Sequence, residues 1–391
     1  MRVTDLDEFS GRHYETGTIA NWLAACGHPV TEALALGASG GIAFGYFVFE
    51  YKGHQPHVAL LTRNTFDPFT VALDHLRIKR NVMETVKPEK GEENLRRELY
   101  MGRPVIVWAD AFSAPWKALP QGGMWAMQPL LVIGYDEASY LIVDGSPKPF
   151  EVDRELLLKM RGVVKKDRYR CITLEGVNED SRPELLKDAI RNCLKLFLEK
   201  PPAGSAKNFG LSGMDEFIRA LRDETTAKGW AKLFPAGEKF MQGVAGRIGQ
   251  PGIYDWIESW GTNHNADRGT YASFLREASA ICGLDFEPVA QKFDESARLW
   301  QSVAEASLPD SQPPLNKLKA MKQEYEKLRW NDPLGTVTRR LEMRQEMVDL
   351  RMQLGEDVDT AREIRYGIAS AMEAVRACEA DALTELKSVV S

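Results

Sequence analysis

Residues 11–23 read GRHYETGTIANWL. Apolar residues recur at helical spacing from Thr16 onward and Gly27 is a natural stop, so the sequence predicts a helix over 16–27. A thiol at the beginning of such a helix would be activated by the helix N-terminus. The residue found there is Tyr14, so the stretch has the setting of a reactive site without a thiol.

The region around this stretch mixes strands and helices up to about residue 175. Buried strands are predicted by the apolar runs PVIVWAD (104–110), PLLVIGYD (129–136) and SYLIVDGS (139–146), of which the last two are joined by a tight turn. The same patterns predict strands over 42–51, 57–64 and 167–176, and helices over 68–76 and 92–102. We therefore predict an α+β domain over residues 1–178.

Beyond residue 180 the pattern is helical only. Amphipathic segments predict a helical bundle over residues 179–308, and the composition of PDSQPPL (309–315) predicts a linker after it. The charged tail, 316–391, carries apolar positions every three to four residues. Packing on the chain's own bundle would explain this tail, and so would a coiled-coil homodimer.

Composition excludes several classes of function. The 391 residues are 44% hydrophobic and 27% charged, as in ordinary globular proteins of two or three domains. A net charge of −6 lacks the overall positive charge that is typical of nucleic-acid-binding proteins. No apolar run approaches the length of a membrane span and no secretory signal is visible, so we expect a cytoplasmic protein. The five scattered cysteines lack CxxC spacing, which argues against disulfides and zinc.

Many short motifs follow one another in the order and spacing of a known family. In the N-terminal part they are FSGRHYETG with Phe9, Gly11 and His13, Asn21 in IANWLAACG, Glu32 in PVTEALALG, GASGGIAFGY, WAD at 108–110 and LLVIGYDEASYLIVDGSP. In the helical part they are NFGLSGMDEF, KGWAKLFPAGEKF, YDWIESWGT, RGTYASFLREAS and ARLWQSVAEASLPD. On these motifs, residues 8–310 resemble the butirosin biosynthesis protein H family together with its usual helical domain.

This resemblance implies a papain-like cysteine-peptidase fold turned to acyl transfer. The type member is similar to an acyltransferase that moves an aminoacyl group from a carrier-protein thioester to an aminoglycoside amine. In such chemistry a thiolate takes the acyl group and a histidine deprotonates the incoming amine. The resemblance implies an acyl- or peptidyl-carrier protein as partner and an amine as second substrate. Phosphopantetheine would arrive on the carrier, and no intrinsic cofactor or metal is implied.

Carrying the family's catalytic positions over to this sequence leaves two of them changed. The cysteine position holds Tyr14, and the histidine position holds Gln128, or Met127 if the register slips by one. The acidic position is kept as Asp144. A tyrosine hydroxyl, with a pKa of about 10, is a poor acyl carrier, and a glutamine side chain cannot accept a proton near neutral pH. We therefore expect no cysteine-type acyl-enzyme.

Three interpretations follow from these changes. In the first, the site holds a carrier-bound thioester against an amine, direct aminolysis follows, and His13, Tyr14 or Glu32 relays the proton. Backbone N–H groups at the start of the predicted helix would then bind the oxyanion. In the second, the domain is a pseudoenzyme that binds a carrier protein, a substrate or a partner subunit. In the third, the cleft serves an unrelated hydrolase or cyclase.

Further candidates carry a structural interpretation beside the functional one. Asn21 lies inside the predicted helix, where asparagine is unfavourable, so we expect it to bond neighbouring backbone. Gly40 in GASGG is explained by a turn before a strand, because the phosphate-loop spacing is absent. His264 in the helical part is an outside candidate for the missing base. With these three, Gly11 and Trp125 complete the predicted substrate-binding set.

Two pairs of residues resemble sites by type only. Cys26 and His28 are two residues apart, and residues at that spacing on a helix do not face each other, so we reject them as a catalytic pair. His54 and His57 resemble a metal pair, but no third ligand can be named. We therefore predict no metal site.

A small basic run contains Arg77, Lys79 and Arg80. Such a rim would suit the acidic helix that a carrier protein presents. The exposed face of an edge strand also explains these residues, and we favour this interpretation.

Overall fold

The computed structural model describes residues 1–50, 55–122, 124–178, 180, 182–353 and 357–391. The chain forms two compact units, each built from several segments. The sheet unit comprises Met1–Ala35, Phe69–Arg182 and Lys327–Leu341. The helical unit comprises Leu36–Pro68, Pro183–Glu326 and Glu342–Ser391.

The strands and helices are numbered in chain order. The strands are β1 (Ile42–Phe49), β2 (His57–Arg63), β3 (Ile78–Met83), β4 (Val105–Asp110), β5 (Met127–Tyr135), β6 (Ser139–Val143), β7 (Phe150–Asp153) and β8 (Cys171–Val177). The helices are α1 (Thr16–Ala25), α2 (Glu32–Ala38), α3 (Pro68–His75), α4 (Pro88–Tyr100), α5 (Arg154–Arg161), α6 (Arg182–Leu198), α7 (Gly210–Arg222), α8 (Trp230–Leu233), α9 (Glu238–Ala245), α10 (Ile253–Glu258), α11 (Arg268–Cys282), α12 (Glu287–Ser307), α13 (Pro313–Asn331), α14 (Val337–Met352) and α15 (Val358–Val390).

The sheet unit is built on a six-stranded antiparallel sheet in the order β3-β8-β4-β5-β6-β7. The apolar runs predicted as strands form its centre, because Val, Ile and Leu side chains fit the buried pleated surface. The predicted tight turn joins β5 to β6, with Leu131 opposite Val143. One face packs on α4 and α5 through a core that includes Leu95, Val107 and Leu157.

Helix α1 packs against the central strands β4 and β5. Its Trp22 is fully buried, and the indole Nε1 donates to the carbonyl of Pro104 at 3.2 Å. The Thr18 hydroxyl donates to the carbonyl of Pro129 at 3.4 Å. These contacts fix the start of α1 relative to the first residues of β5, where two of the candidate positions lie.

Three elements of the sheet unit and its borders were absent from the sequence prediction. They are α2, β7 and α5. An edge strand was one interpretation of the basic run, and the structure has a strand there. Strand β3 has the sequence IKRNVM and lies at the sheet edge, paired only with β8 among the described strands. Polar edge strands lack the apolar alternation on which a sequence prediction depends.

In the helical unit, the hairpin of β1 and β2 packs with helices rather than with the large sheet. Strand β1 contacts α7, and β2 contacts α10. The compact units therefore divide the chain at other points than the predicted boundaries after residues 178 and 308. The hairpin precedes the predicted bundle by more than a hundred residues, so this grouping comes from long-range packing alone.

The charged tail takes part in the packing of both units. Helix α15 packs on α12 and α7, and its apolar residues at helical spacing, such as Ile368, Met372 and Leu383, are buried. Packing on the chain's own bundle thus accounts for this part of the tail. Residues 327–341 group with the sheet unit instead.

None of the helices in the described ranges is both long enough and apolar enough to span a membrane.

Candidate functional site

The turn before α1 is held by its own side chains. The amide of Asn21 brackets Gly11: Oδ1 accepts from the Gly11 N–H at 2.8 Å, and Nδ2 donates to the Gly11 carbonyl at 3.1 Å. A Cβ on Gly11 would lie 2.3 Å from the carbonyl oxygen of Gly17, so this close approach requires glycine. Asn21 bonds neighbouring backbone, as its place in the helix led us to expect.

Glu32 braces the same turn from α2. One carboxylate oxygen accepts from the Arg12 N–H at 2.8 Å, and the other accepts from the His13 N–H and the Thr16 hydroxyl, each at 3.0 Å. These three donors account for a structural role of the carboxylate. We call residues 11–16 together with Asn21 and Glu32 the turn cluster.

His13 is buried, and its ring caps α1. The Nδ1 atom accepts from the N–H of Glu15 at 3.2 Å and lies 3.5 Å from that of Thr16. Because Nδ1 accepts from backbone N–H groups, it carries no proton, which places the ring proton on Nε2. The half-buried ring of Tyr14 lies beside it, tilted by 34°, with 4.2 Å between ring centroids.

A second group of polar side chains surrounds Lys117. The Lys117 ammonium donates to Gln128 Oε1 at 3.1 Å and to Asp144 Oδ1 at 2.9 Å. The other Asp144 oxygen accepts from the indole Nε1 of Trp116 at 2.8 Å. The side chains of Lys117 and Asp144 are 16% and 4% exposed, so the ion pair is largely shielded from water. We call these four residues the lysine cluster.

The loop that carries Lys117 is fixed by Asp110, the last residue of β4. Its carboxylate accepts from the N–H of Ser113 at 2.9 Å and from that of Ala126 at 2.8 Å, so it bonds both ends of the loop. Trp116 packs edge-on against Phe150 of β7, with 5.5 Å between ring centroids. Lys117, the last residue of a short 3₁₀ helix (Pro115–Lys117), is thereby carried by a loop that is fixed at both ends.

Backbone contacts join the two clusters. The N–H of Phe9 donates to the carbonyl of Pro147 at 2.8 Å. A Cβ on Gly145, the residue after Asp144, would lie 3.1 Å from the Arg12 carbonyl oxygen. The turn before α1 thus runs along the segment that follows β6, and together they form the candidate site.

The other predicted binding residues lie outside these clusters. Gly40 and His264 belong to the helical unit. The backbone of Gly40 has a positive φ and lies against the side chain of Asn64. The Nδ1 atom of His264 lies 3.2 Å from a Glu258 oxygen. Trp125 is an exposed residue of the sheet unit, with the Lys166 ammonium 5.8 Å from its ring centroid. Their predicted roles in binding remain predictions.

The basic run lies on and beside the edge strand β3. Arg80 pairs with Asp74 at 2.7 Å, and Lys79 lies 3.6 Å from Glu175. Arg77 precedes the strand with a positive φ. Two of the three cations therefore have local carboxylate partners, which reduces the positive potential available to an acidic partner.

The structure describes only one of the two histidines that resemble a metal pair. His54 lies outside the described residues, and burial lowers the pKa of His57. Within the described ranges, no group of three or more histidine, cysteine, aspartate or glutamate side chains is arranged to hold a metal ion.

The five cysteines are free thiols, and burial raises the pKa of each, to about 12 for Cys26 and about 11 for Cys378. At pH 8 a pKa of about 12 leaves a thiolate fraction of roughly 10⁻⁴, against about a quarter for an ordinary cysteine. We expect iodoacetamide to alkylate Cys26 at least about a thousandfold more slowly in the folded protein than in urea. Because the pKa exceeds the pH, raising the pH from 8 to 10 should speed folded-state labelling about a hundredfold.

Peptide mapping of the alkylated protein measures each thiol separately. The urea-unfolded chain at the same pH is the control for intrinsic reactivity. Labelling of folded Cys26 at the unfolded rate would contradict the burial and would reopen the case for a thiol nucleophile.

An antiparallel sheet, a helix that begins at a capped turn against its central strands and an acidic residue after the next strand define a papain-like α+β domain, followed here by helices. Residues 13–145, about a third of the chain, match the family described as butirosin biosynthesis protein H, N-terminal. This part of the chain is similar to that family, which is named for the biosynthesis of an antibiotic. The match includes the first segment of the helical unit, Leu36–Pro68, and ends before its second segment begins at Pro183.

Among solved structures, the chain is similar to one described as a C39-like peptidase from Bacillus anthracis. The identity is 18%, the TM-score is 0.28, and the alignment covers 45% of this chain and 94% of that chain. No curated protein matches the sequence.

Sequence reasoning missed Trp116 and Lys117. The family resemblance points to three positions, and these two residues lie elsewhere, between β4 and β5. A signal was present, because PWK (115–117) places an aromatic residue and a cation shortly before Gln128. Only the fold brings that cation to Asp144.

Proposed function

We propose that this chain promotes transfer of an acyl or aminoacyl group from a carrier-protein thioester directly to an amine, within natural-product biosynthesis. The observation that carries the proposal is the Lys117 ammonium held between Gln128 and Asp144. In the family pattern these two positions carry the base and the acid of thiol chemistry. A cation between them supports stabilisation of negative charge instead of proton abstraction from a nucleophile.

The proposed reaction is a single-site aminolysis. The amine nitrogen attacks the thioester carbonyl carbon, and the C–N bond forms while the carbonyl oxygen becomes an oxyanion near the Lys117 ammonium. Collapse of this intermediate breaks the C–S bond and expels the pantetheine thiolate. The proton that the amine nitrogen loses goes to that thiolate, so the products are an amide and a free thiol.

Among the candidates for the proton relay, the contacts favour Tyr14. The Glu32 carboxylate is engaged by the turn, and the Nδ1 of His13 caps α1. A phenol can accept and donate at the same oxygen, which is what a shuttle between amine and thiolate needs. The amine must then arrive as the free base.

A second candidate function is a pseudoenzyme that binds a carrier protein or its substrate. The observation that favours it is the mutual neutralisation within the lysine cluster. Both oxygens of Asp144 are engaged, and its side chain is 4% exposed. A neutralised, shielded cluster also suits a domain that binds a ligand without catalysing a reaction on it.

Intact-mass spectrometry distinguishes the two functions. The full chain is mixed with an aminoacyl-carrier protein and a panel of amino sugars, and both the small-molecule product and the protein mass are recorded. Amide product without an acylated form of the chain is the expected result, with a slower rate for Tyr14→Phe. A stable complex with the carrier and no product with any amine would leave the pseudoenzyme. An acylated chain would overturn direct aminolysis.

A further inference from the structure

A segment of the tail lies against the candidate site. This tail segment, residues 327–341, runs from the end of α13 into α14 and belongs to the sheet unit. The Arg340 Nη2 donates to the carbonyl of Trp116 at 2.7 Å, and Arg340 is fully buried. The segment lies far beyond the residues that match the family, so this part of the site comes from outside the matched region.

The tail segment also holds one cation of the turn cluster. The guanidinium carbon of Arg12 lies 4.3 Å from the centroid of the Trp330 ring. The Arg12 N–H is fixed by Glu32 at 2.8 Å, so both the backbone and the side chain of this residue are held. Arg12 is exposed, and within the described part of the chain no carboxylate forms an ion pair with its guanidinium.

We propose that Arg12, held over the ring of Trp330, is an anion-recognition residue of the site and binds a phosphate ester. A guanidinium stacked on an indole keeps its N–H edge free to face solvent, and that edge matches two phosphate oxygens. The position suits the site, because the Arg12 carbonyl lies beside Gly145, directly after Asp144.

The charge of the tail segment favours the same ligand. Residues 327–341 contain four cations, Lys327, Arg329, Arg339 and Arg340, against the single carboxylate of Asp332. One of them, Arg329, places Nη1 3.8 Å from the position that a Cβ on Gly145 would take. Arg340 is buried, and the other three cations are at least partly exposed, so they add positive charge to this part of a chain of net charge −6.

This inference rests on the proposed function, under which the phosphate ester has two sources. It is the phosphate of the pantetheine arm that brings the thioester, or a phosphate on the amine acceptor. Both present the same group to Arg12. The two sources are distinguished by which molecule, the pantetheine arm or the amine acceptor, binds more weakly when its phosphate is removed.

Binding to the full chain by isothermal titration calorimetry tests the proposal with four probes: 4′-phosphopantetheine, pantetheine, glucosamine 6-phosphate and glucosamine. We expect 4′-phosphopantetheine to bind at least about tenfold more tightly than pantetheine, as expected for charge-assisted hydrogen bonds. Arg12→Gln should abolish this difference. Trp330→Leu should reduce it about threefold, because the ring only holds the guanidinium in place.

Arg96→Gln is the matched control, since Arg96 lies on the face of Tyr135 in the same way, with 4.5 Å to the ring centroid. It should leave the phosphate preference unchanged. If the preference appears for glucosamine 6-phosphate and vanishes in Arg12→Gln, the anion site is supported and the acceptor is its source. Equal affinities within each pair, or a preference that survives Arg12→Gln, would overturn the proposal. Thermal unfolding of each variant checks that the fold is kept, and absence of amide product does not affect these binding results.

Discussion

Replacing Glu379 by alanine is expected to destabilise the helical unit by about 3–5 kcal/mol, because it leaves a buried guanidinium without its counter-charge. Glu379 and Arg268 are both fully buried, with 2.8 Å between Oε1 and Nε. The same Oε1 accepts from the Ser296 hydroxyl at 2.8 Å and from the Trp300 indole at 2.7 Å. The variant therefore loses the acceptor of three donors at once.

Urea unfolding followed by tryptophan fluorescence measures this loss, since Trp300 lies in the network. Glu373→Ala is the matched control on the same helix, because the pair of Glu373 with Arg222 is exposed and worth at most about 1 kcal/mol. Glu379→Gln should lie between alanine and the wild type, as an amide oxygen still accepts from Trp300. A loss below about 1 kcal/mol for Glu379→Ala would show that Arg268 finds other partners.

Replacing Lys117 by methionine is expected to slow amide formation by about 10²–10³-fold, the usual cost of removing one oxyanion donor. Methionine keeps most of the apolar stem while removing the charge that faces Gln128 and Asp144. Because an oxyanion exists only in the reacting state, the loss should appear mainly in kcat rather than KM. Steady-state rates with an aminoacyl-carrier protein and a saturating amine provide the measurement.

Lys159→Met is the control, because Lys159 is an exposed lysine of α5 in the same unit. It should leave the rate unchanged. A folding check is needed for Lys117→Met, since Asp144 keeps only its bond from Trp116 among the bonds described above. An unchanged kcat in a folded Lys117→Met would remove the lysine from the chemistry and favour the pseudoenzyme.

The local features of the fold were predictable because they depend on neighbouring residues. The helix at 16–27 was confirmed with its end two residues earlier, at Ala25, and the hairpin of β5 and β6 was found where the apolar runs and the turn between them indicated. The amide of Asn21 was expected to bond backbone and does so. Each of these features follows from spacing within one short segment.

The composition of the candidate site was only partly predictable. The positions Tyr14, Gln128 and Asp144 follow from counting along the chain, and their correspondence to the family's catalytic positions stays a prediction. Lys117 lies 27 residues from Asp144 in sequence, and Trp330 lies more than 300 residues from Arg12. No periodicity or motif links residues so far apart.

The sequence by itself determined the family resemblance, the α+β start followed by helices, and the presence of Tyr14 and Gln128 where the resemblance predicts a thiol and an imidazole. Only the tertiary structure decided which side chains surround these positions, because an ion pair and a cation over a ring require side chains to meet in space. It also decided that the hairpin at 42–63 packs with helices and that residues 327–341 join the sheet unit. Burial of apolar surface acts without regard to chain order, so these groupings follow packing rather than sequence distance.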